Sequence, residues 1–194
     1  RDTYKSIPAA PNLDTVPFDR WRELGADGVI IGAVSRAANG IRVEMKLYDV
    51  RGQREAYARE YTGSAANPRL YAHTISDEVH QSQRSLRGVA RTKLAFSSDR
   101  NRDSVAGTVE KREVKEIYNS DYDGANQRRI TTNRVLNITP SWSPDGRSIA
   151  YTSYPRGSPD IFVALIYQGV QQEPTKAVGQ NWLPVYSPDG NRIV

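Results

Sequence analysis

The side chains of this sequence best suited to metal binding or proton transfer are two histidines, His73 and His80. They stand seven residues apart, whereas two histidines that share one metal on a helix are normally four residues apart. A surface position or ordinary packing is therefore the better interpretation of both. The sequence has no cysteine, which excludes disulfides, thiolate metal sites and a cysteine nucleophile.

An acidic turn at residues 121–124, Asp-Tyr-Asp-Gly, is the other pattern that could bind a cation. A calcium loop of the EF-hand type carries its glycine at the sixth position and ends on a glutamate ligand; here Gly124 is fourth and that glutamate is missing. A turn between strands is the better interpretation. The sequence also lacks Gly-x-Ser-x-Gly, His-Glu-x-x-His and phosphate-binding glycine motifs. We therefore predict no catalytic, metal or cofactor site and a protein that is not an enzyme.

The second half of the chain contains a sequence repeat, and its strands and turns must position any functional site there. Ser-Pro-Asp-Gly occurs at residues 143–146 and again, 44 residues later, at 187–190. Proline presets this turn, aspartate caps it and glycine supplies a positive φ. A period of about 40 to 45 residues with four short strands in each repeat is typical of a β-propeller. The same spacing relates Ile117 to Ile161, Thr131 to Thr175, Asn137 to Asn181 and Pro140 to Pro184.

A shorter similarity between residues 93–98 and 148–153 has an offset of 55, which indicates an insertion near residues 101–111. We assign residues 92–194 to the first blades of an all-β propeller. Propellers close with about four to eight blades. Because this stretch holds one complete repeat and parts of two others, we expect an incomplete propeller.

Residues 1–91 have a different pattern, which predicts an α+β domain. After a proline-rich opening at 7–17, the sequence predicts a helix at 18–24, strands at 28–36, 41–49 and 55–61, and a helix at 69–84. Asn39-Gly40 favours a type I′ hairpin turn. Asn67-Pro68 supplies an N-cap and a proline at the first helical position.

Three connections of the repeats, residues 137–140, 154–159 and 180–184, should lie on one face of the propeller. They carry Tyr154, Arg156, Asn181 and Trp182, which we predict to bind a partner. Aromatic residues and arginine are enriched where binding energy concentrates in protein interfaces. Packing between neighbouring blades is the alternative role for Trp182 and Arg156.

The charge of the chain limits the class of partner. The 27 lysines and arginines give a net charge of +5, but acidic residues are scattered between them, so we predict no nucleic-acid binding. A positive surface favours acidic protein partners. No apolar run is long enough to span a membrane, and we expect peripheral membrane contact at most.

Several segments together resemble the TolB family. They are Ala-Asp-Gly-Val-Ile-Ile-Gly at 26–32, Lys-Leu-Tyr-Asp at 46–49, Ala-His-Thr-Ile-Ser-Asp at 72–77, Thr-Lys-Leu-Ala-Phe-Ser at 92–97 and the Ser-Pro-Asp-Gly repeats. The resemblance covers nearly the whole chain. It implies an N-terminal α/β domain, a six-bladed propeller and a periplasmic, non-enzymatic scaffold of the Tol-Pal system.

The resemblance also implies two partners and a wider role. The propeller would bind the peptidoglycan-associated lipoprotein, Pal, and the N-terminal region would bind the Tol complex of the inner membrane, supporting envelope integrity and cell division. Relative to that family, we expect this sequence to lack an N-terminal segment and about four blades. Two alternatives remain open: the propeller of a prolyl-oligopeptidase-like hydrolase whose catalytic domain is missing, and a propeller enzyme or carbohydrate binder.

Overall fold

The computed structural model describes residue 7 and residues 15–103, 114–175 and 179–194. The chain divides into two compact units, residues 1–91 and 92–194. Most of the proline-rich opening and, from residue 104 onward, the predicted insertion lie outside the described residues.

The first unit is an antiparallel sheet with two helices. Its elements are α1 (Phe18–Glu23), β1 (Gly28–Ala37), β2 (Gly40–Asp49), β3 (Arg54–Gly63) and α2 (Pro68–Arg84), and the strand order is β1-β2-β3. The sequence predicted each of these elements to within a few residues. Alternation along β2 buries Val43, Met45 and Leu47 on one face, as the pattern indicates.

The β1–β2 hairpin turns one residue earlier than predicted. Ala37 pairs with Gly40, so the connection is Ala38–Asn39, and Asn39 does not take the positive φ of a type I′ turn. Gly40 is instead the first residue of β2, with φ +144°. A Cβ at that position would lie 2.1 Å from the carbonyl oxygen of Gly63 on β3. Glycine is needed here for close strand approach as well as for the turn.

Helix α2 is capped and then fixed to the sheet by a carboxylate. The Asn67 side chain accepts a hydrogen bond from the N–H of Leu70, as the Asn-Pro pattern predicts. Glu78 of α2 accepts hydrogen bonds from the hydroxyls of Tyr57 and Tyr61 at 2.7 and 2.8 Å. Burial and the adjacent carboxylate raise the pKa of both tyrosines, which keeps the hydroxyl protons on these bonds.

The second unit contains two sheets from consecutive repeats. The first has the order β4-β5-β6, from β4 (Lys93–Ser98), β5 (Glu116–Asp121) and β6 (Arg128–Arg129). The second is a four-stranded blade of order β10-β9-β8-β7, from β7 (Asn137–Trp142), β8 (Ser148–Ser153), β9 (Asp160–Leu165) and β10 (Val170–Gln172). An α+β domain followed by the first sheets of an incomplete propeller confirms the predicted fold class.

Equivalent aromatic pairs fill the two sheets. Phe96 stacks on Tyr118 across β4 and β5, with ring centroids 5.8 Å apart, and Tyr151 stacks on Phe162 across β8 and β9 at 5.9 Å. A buried apolar cluster joins β5 to the second sheet through Ile117, Ile149, Tyr151, Ala164 and Ile166. Because this cluster draws on both sheets, each blade buries its face against its neighbour.

Strand β7 begins earlier than the sequence indicates. Residues 137–140 are not a connection, as predicted, but the first part of β7. Asn137 and Ile138 pair with Ser153 and Thr152, and the register shifts before pairing resumes at Ser141. The irregularity accommodates Pro140, which has no N–H to give to a ladder.

The segment that leaves α2 is held against the helix by Asp77. This carboxylate is 7% exposed and accepts the backbone N–H groups of Ala90 and Arg91 at 2.6 and 3.1 Å, with Arg91 Nε at 3.0 Å. Burial alone would raise the pKa of Asp77, but these donors outweigh it and hold the pKa below its ordinary value. Gly88 is equally constrained, because a Cβ there would lie 2.5 Å from the Asp77 Cα.

Asp77→Asn should therefore destabilise the protein by about 1–3 kcal/mol near neutral pH, because the amide cannot accept all of these hydrogen bonds. The folded pKa is lowered, so this stabilisation is complete above the unfolded value of 3.8 and lost as the pH falls through the folded value. Guanidinium denaturation across a pH series measures it. The difference in the free energy of unfolding between Asp77→Asn and wild type should become smaller as the pH falls.

Asp19→Asn is the matched control, because the Asp19 side chain is 83% exposed in its ion pair with Arg22. It should change stability by less than about 0.5 kcal/mol. An equal loss in both variants would contradict the role given to Asp77.

Candidate functional site

The two Ser-Pro-Asp-Gly turns have the same internal hydrogen bonds. The Ser143 hydroxyl donates to Asp145 Oδ1 at 2.6 Å, and the same aspartate oxygen accepts the N–H of Arg147 at 3.0 Å. Ser187 and Asp189 repeat these contacts 44 residues later, at 2.5 Å within the pair and 3.0 Å to the N–H of Asn191. Hydrogen bonds to the carboxylates hold the pKa of Asp145 and that of Asp189 below the ordinary value. The turns are structural, and their aspartates are already engaged.

A second pair of repeated contacts lies deeper in the blades. The Thr131 hydroxyl accepts the N–H of Ile117 at 2.9 Å, and the Thr175 hydroxyl accepts the N–H of Ile161 at 3.0 Å. The N–H groups of Asn137 and Asn181 likewise donate to the carbonyls of Lys115 and Pro159, at 2.9 and 3.0 Å. These contacts explain the Thr and Asn matches in the sequence repeat, since each satisfies a backbone group at the start of a strand.

The first blade surrounds a buried carboxylate with donors. Glu116 is 2% exposed; its Oε1 accepts from Arg129 Nη2 at 2.7 Å and from the Arg134 N–H at 2.9 Å. Its Oε2 accepts from Asn137 Nδ2 at 3.1 Å and from the Thr131 hydroxyl. A buried carboxylate without donors would be costly, so these four contacts fix the loop 130–137 against β5.

The second blade places Asp160, also 2% exposed, at the position equivalent to Glu116. Arg156 Nη2 donates to Asp160 Oδ2 at 2.6 Å and also to Glu173 Oε1. The hydrogen bonds to Glu173 and Asp160 raise the pKa of Arg156. The arginine therefore clamps the 154–159 connection to β9 and to residue 173, and two carboxylates neutralise its charge.

The four residues predicted to bind a partner lie at one end of the second sheet, which we call the loop end: the connection 154–159 together with residues 180–183. The N–H of Tyr154 donates to the Leu136 carbonyl, and the N–H of Asn181 donates to the Pro159 carbonyl. The indole of Trp182 is 54% exposed. The structure thus joins Asn181, through the Pro159 carbonyl, to the connection that contains Tyr154 and Arg156, and leaves the neighbouring Trp182 exposed.

Sequence reasoning missed one residue of the loop end, Leu183. Leu183 is 60% exposed next to Trp182, and its N–H donates to the hydroxyl of the buried Thr152 at 3.0 Å. The only available signal was the 44-residue register, which aligns Leu183 with Thr139 directly before the repeated proline.

Among the residues that could have done other chemistry, His80 is exposed, and the other three make local contacts. His73 Nε2 lies 3.4 Å from Arg69 Nη2. Asp121 accepts from Lys93 Nζ and from Asn126 Nδ2, both at 2.6 Å, and Asp123 accepts the N–H of Ala125. Over residue 7 and residues 15–103, 114–175 and 179–194, no group of three or more His, Asp or Glu side chains could hold a metal. No helix among these residues is long and apolar enough to cross a membrane.

Comparison with known families finds an amino-terminal domain followed by a propeller domain. Residues 82–194 match the TolB beta propeller domain, which is more than half of the sequence, and residues 2–56 match the TolB amino-terminal domain. The chain belongs to the TolB family. These matches to both parts do not support the hydrolase alternative.

Two curated relatives named Tol-Pal system protein TolB illustrate this membership. The protein from Desulfosudis oleivorans is 32% identical over 78% of this chain and 32% of its own length. The protein from Anaeromyxobacter dehalogenans is 34% identical over 95% of this chain and 39% of its own length. The chain thus spans less than half the length of these TolB relatives.

A solved structure supports the fold of the family. The crystal structure of TolB from Acinetobacter baumannii superposes with a TM-score of 0.81 at 26% identity, over 96% of this chain and 45% of that one. The partial propeller described above is therefore the arrangement expected of part of a TolB protein.

Thr131→Val tests the buried network of the first blade. Valine keeps the shape of the side chain but leaves the Ile117 N–H without its acceptor and Glu116 without one donor. We expect a loss of about 1–3 kcal/mol in the free energy of unfolding, measured by urea denaturation.

Thr132→Val is the control for that variant, because Thr132 is the adjacent threonine and its side chain is exposed. Its stability should stay within about 0.5 kcal/mol of wild type. If both variants lost the same stability, the network would not be responsible.

Proposed function

We propose that the full-length protein is a non-enzymatic, periplasmic scaffold of the Tol-Pal system that binds Pal through its propeller. In this role it supports envelope integrity and cell division, and its N-terminal region contacts the Tol complex of the inner membrane. The observation that carries the proposal is the match of both TolB domains, in family order, to one chain. The names of the two curated relatives, each a Tol-Pal system protein, support it.

The loop end is the surface that we propose for Pal. Trp182 offers a large exposed aromatic surface, and half-buried Tyr154 lies in the connection on which Asn181 is anchored. Exposed aromatic side chains beside a rigid backbone are typical of the centre of a binding surface, because little side-chain entropy is lost on contact. This end of the blade is also where the irregular connections meet.

Arginine is often a direct contact in protein interfaces, but Arg156 has a positioning role in this surface. Its guanidinium is already bonded to Asp160 and Glu173, so a partner would have to compete with two carboxylates for it. We propose that Arg156 positions the 154–159 connection, and with it Tyr154, and that Asn181 positions Trp182 through its backbone bond to Pro159.

The absence of enzymatic activity in the proposal rests on how the polar side chains are used. Three buried carboxylates of the second unit, Glu116, Asp121 and Asp160, are bonded to neighbouring side chains of that unit. Asp145 and Asp189 are bonded within their turns. Each of these groups holds strands together, which is the work of a scaffold that presents a surface.

Trp182→Ala in the full-length protein tests the surface. If Trp182 is a principal contact, its loss should weaken binding to the soluble domain of Pal by about 2 kcal/mol, roughly thirty-fold in Kd. Isothermal titration calorimetry with both purified proteins measures this directly, and the unfolding midpoint shows whether the variant is folded.

Tyr167→Ala is the matched control, because Tyr167 is 76% exposed just beyond the other end of β9 and is likewise aromatic. It should bind Pal as wild type does. Equal Kd values for wild type and Trp182→Ala would refute the choice of surface, and a wild-type protein without affinity for Pal would refute the proposed function itself.

A further inference from the structure

The chain between α2 and β4, which we call the exit segment (residues 85–91), has no regular secondary structure but is held in place. Helix α2 ends where Ser85 takes the left-handed conformation, with φ +54°. The chain then turns back along the helix until the N–H groups of Ala90 and Arg91 reach the Asp77 carboxylate, at 2.6 and 3.1 Å. The exit segment therefore retraces about two turns of the helix that it has just left.

Gly88 allows the exit segment to lie this close to the helix. A Cβ at residue 88 would be 2.5 Å from the Asp77 Cα, which no side chain fits without displacing the backbone. The backbone of Gly88 is not in the left-handed region, so close packing is what requires glycine here. The Arg91 side chain adds a charged contact to the same carboxylate, from Nε at 3.0 Å.

The residue that follows the exit segment is already held by the second unit. The Thr92 carbonyl accepts the N–H of Tyr122 at 3.1 Å, and Lys93 Nζ donates to Asp121 at 2.6 Å. The boundary between the two units falls directly after Arg91. The last residue bonded to α2 and the first residue bonded to the second unit are thus consecutive, and no linker residue separates them.

The part of α2 that holds the exit segment also holds the sheet of the first unit. Glu78, the residue after Asp77, accepts the hydroxyls of Tyr57 and Tyr61 on β3. The two consecutive carboxylates therefore bond to different structures, one to the exit segment and one to the sheet. Because the helix is anchored at this point, the path of the exit segment is referred to the sheet and not to a free helix end.

The Asp77 contacts decide how much free chain there is at the boundary. While they are made, the exit segment is part of the first unit. Without them, its seven residues, 85–91, would form a linker that spans up to about 25 Å when fully extended. Such a linker samples many conformations, since little else in it is regular.

We infer that Asp77 is a latch, which with Gly88 and Arg91 keeps the exit segment an ordered arm of the first unit. The latch joins the first unit to the propeller without a flexible linker. This inference goes beyond the proposed function, because it assigns these three residues a role in the connection between the units. It holds whichever partner the propeller binds.

Two variants of the full-length protein open the latch from opposite sides. Asp77→Ala removes the acceptor, and Gly88→Ala pushes the exit segment away from the helix. The readouts are the rate of trypsin cleavage after Arg87, followed by mass spectrometry under native conditions, and amide hydrogen exchange at Ala90 and Arg91. A protease cuts an ordered segment only after the segment opens, so the cleavage rate reports the latch.

We expect cleavage after Arg87 to be at least about ten-fold faster in Asp77→Ala than in wild type, and faster in Gly88→Ala as well. The N–H groups of Ala90 and Arg91 should lose their protection from exchange in both variants, because both donate to the Asp77 carboxylate in the closed latch.

A second trypsin site in the same unit separates opening of the latch from unfolding of the unit. Arg51 lies in the exposed β2–β3 turn, and cleavage after it should change by less than about two-fold in either variant. Two control variants should behave as wild type. In Asp19→Ala the lost carboxylate is exposed, and in Gly28→Ala the new Cβ meets its nearest neighbours at an ordinary 3.6 Å.

Unchanged cleavage after Arg87 in Asp77→Ala or in Gly88→Ala would overturn the latch. An equal rise in cleavage after Arg87 and after Arg51 would also overturn it, because the whole unit would then be unfolding. The test needs no partner, so its result is independent of the proposal for Pal.

Discussion

The need to satisfy buried polar groups constrains this chain more than any other interaction. Glu116 is almost fully buried in β5, and its oxygens are met by donors from four residues that follow it by 13 to 21 positions in the chain. Those donors fix the path of the chain from β6 to β7, and therefore the place where the second blade begins. The apolar cluster that joins the two sheets depends on the same placement of the second blade.

The second blade meets the same constraint in part: Asp160 Oδ2 is paired, whereas its buried Oδ1 has no hydrogen-bond partner among the described residues. Asp160 takes the place of Glu116, and a residue from the preceding connection, Arg156, supplies its cation. The backbone contacts made by the threonine hydroxyl and the asparagine N–H are nevertheless kept in both blades to within about 0.1 Å. Backbone satisfaction is thus common to the blades, whereas each has its own charged pairing. The loop end uses both kinds of contact: the shared backbone bond of Asn181 to Pro159 and the Arg156–Asp160 pair that belongs to this blade.

Local sequence signals predicted much of the fold. The Ser-Pro-Asp-Gly turns, the Asn67 cap and the alternation in β2 each depend on residues within a few positions of one another, and the structure confirms them. The sequence misplaced the hairpin at Gly40 by one residue. This glycine is required by the close approach of Gly63 on β3, which no local pattern reveals. The early start of β7 was missed because Pro140 suggests a loop, while a bulge accommodates it.

The candidate site was less predictable, because its contacts join residues that are distant in the sequence. Residue types selected Trp182 and Arg156, but the partner that occupies Arg156, Glu173, is 17 positions away, and the hydroxyl that orients Leu183 is 31 positions away. Spacing can align two repeats, but it cannot show which side chains already have a hydrogen-bond or ion-pair partner. Both facts depend on tertiary contacts between strands and loops.

The Tyr57–Glu78–Tyr61 arrangement in the first unit has a consequence of a different kind. One carboxylate accepts hydrogen bonds from two tyrosine hydroxyls four positions apart on the same strand, which places both rings on one side of β3 with α2 over them. A shift of β3 by a single residue would turn both rings to the opposite side and strand the carboxylate. Through these three side chains, the helix that directly follows β3 favours one register of this outer strand.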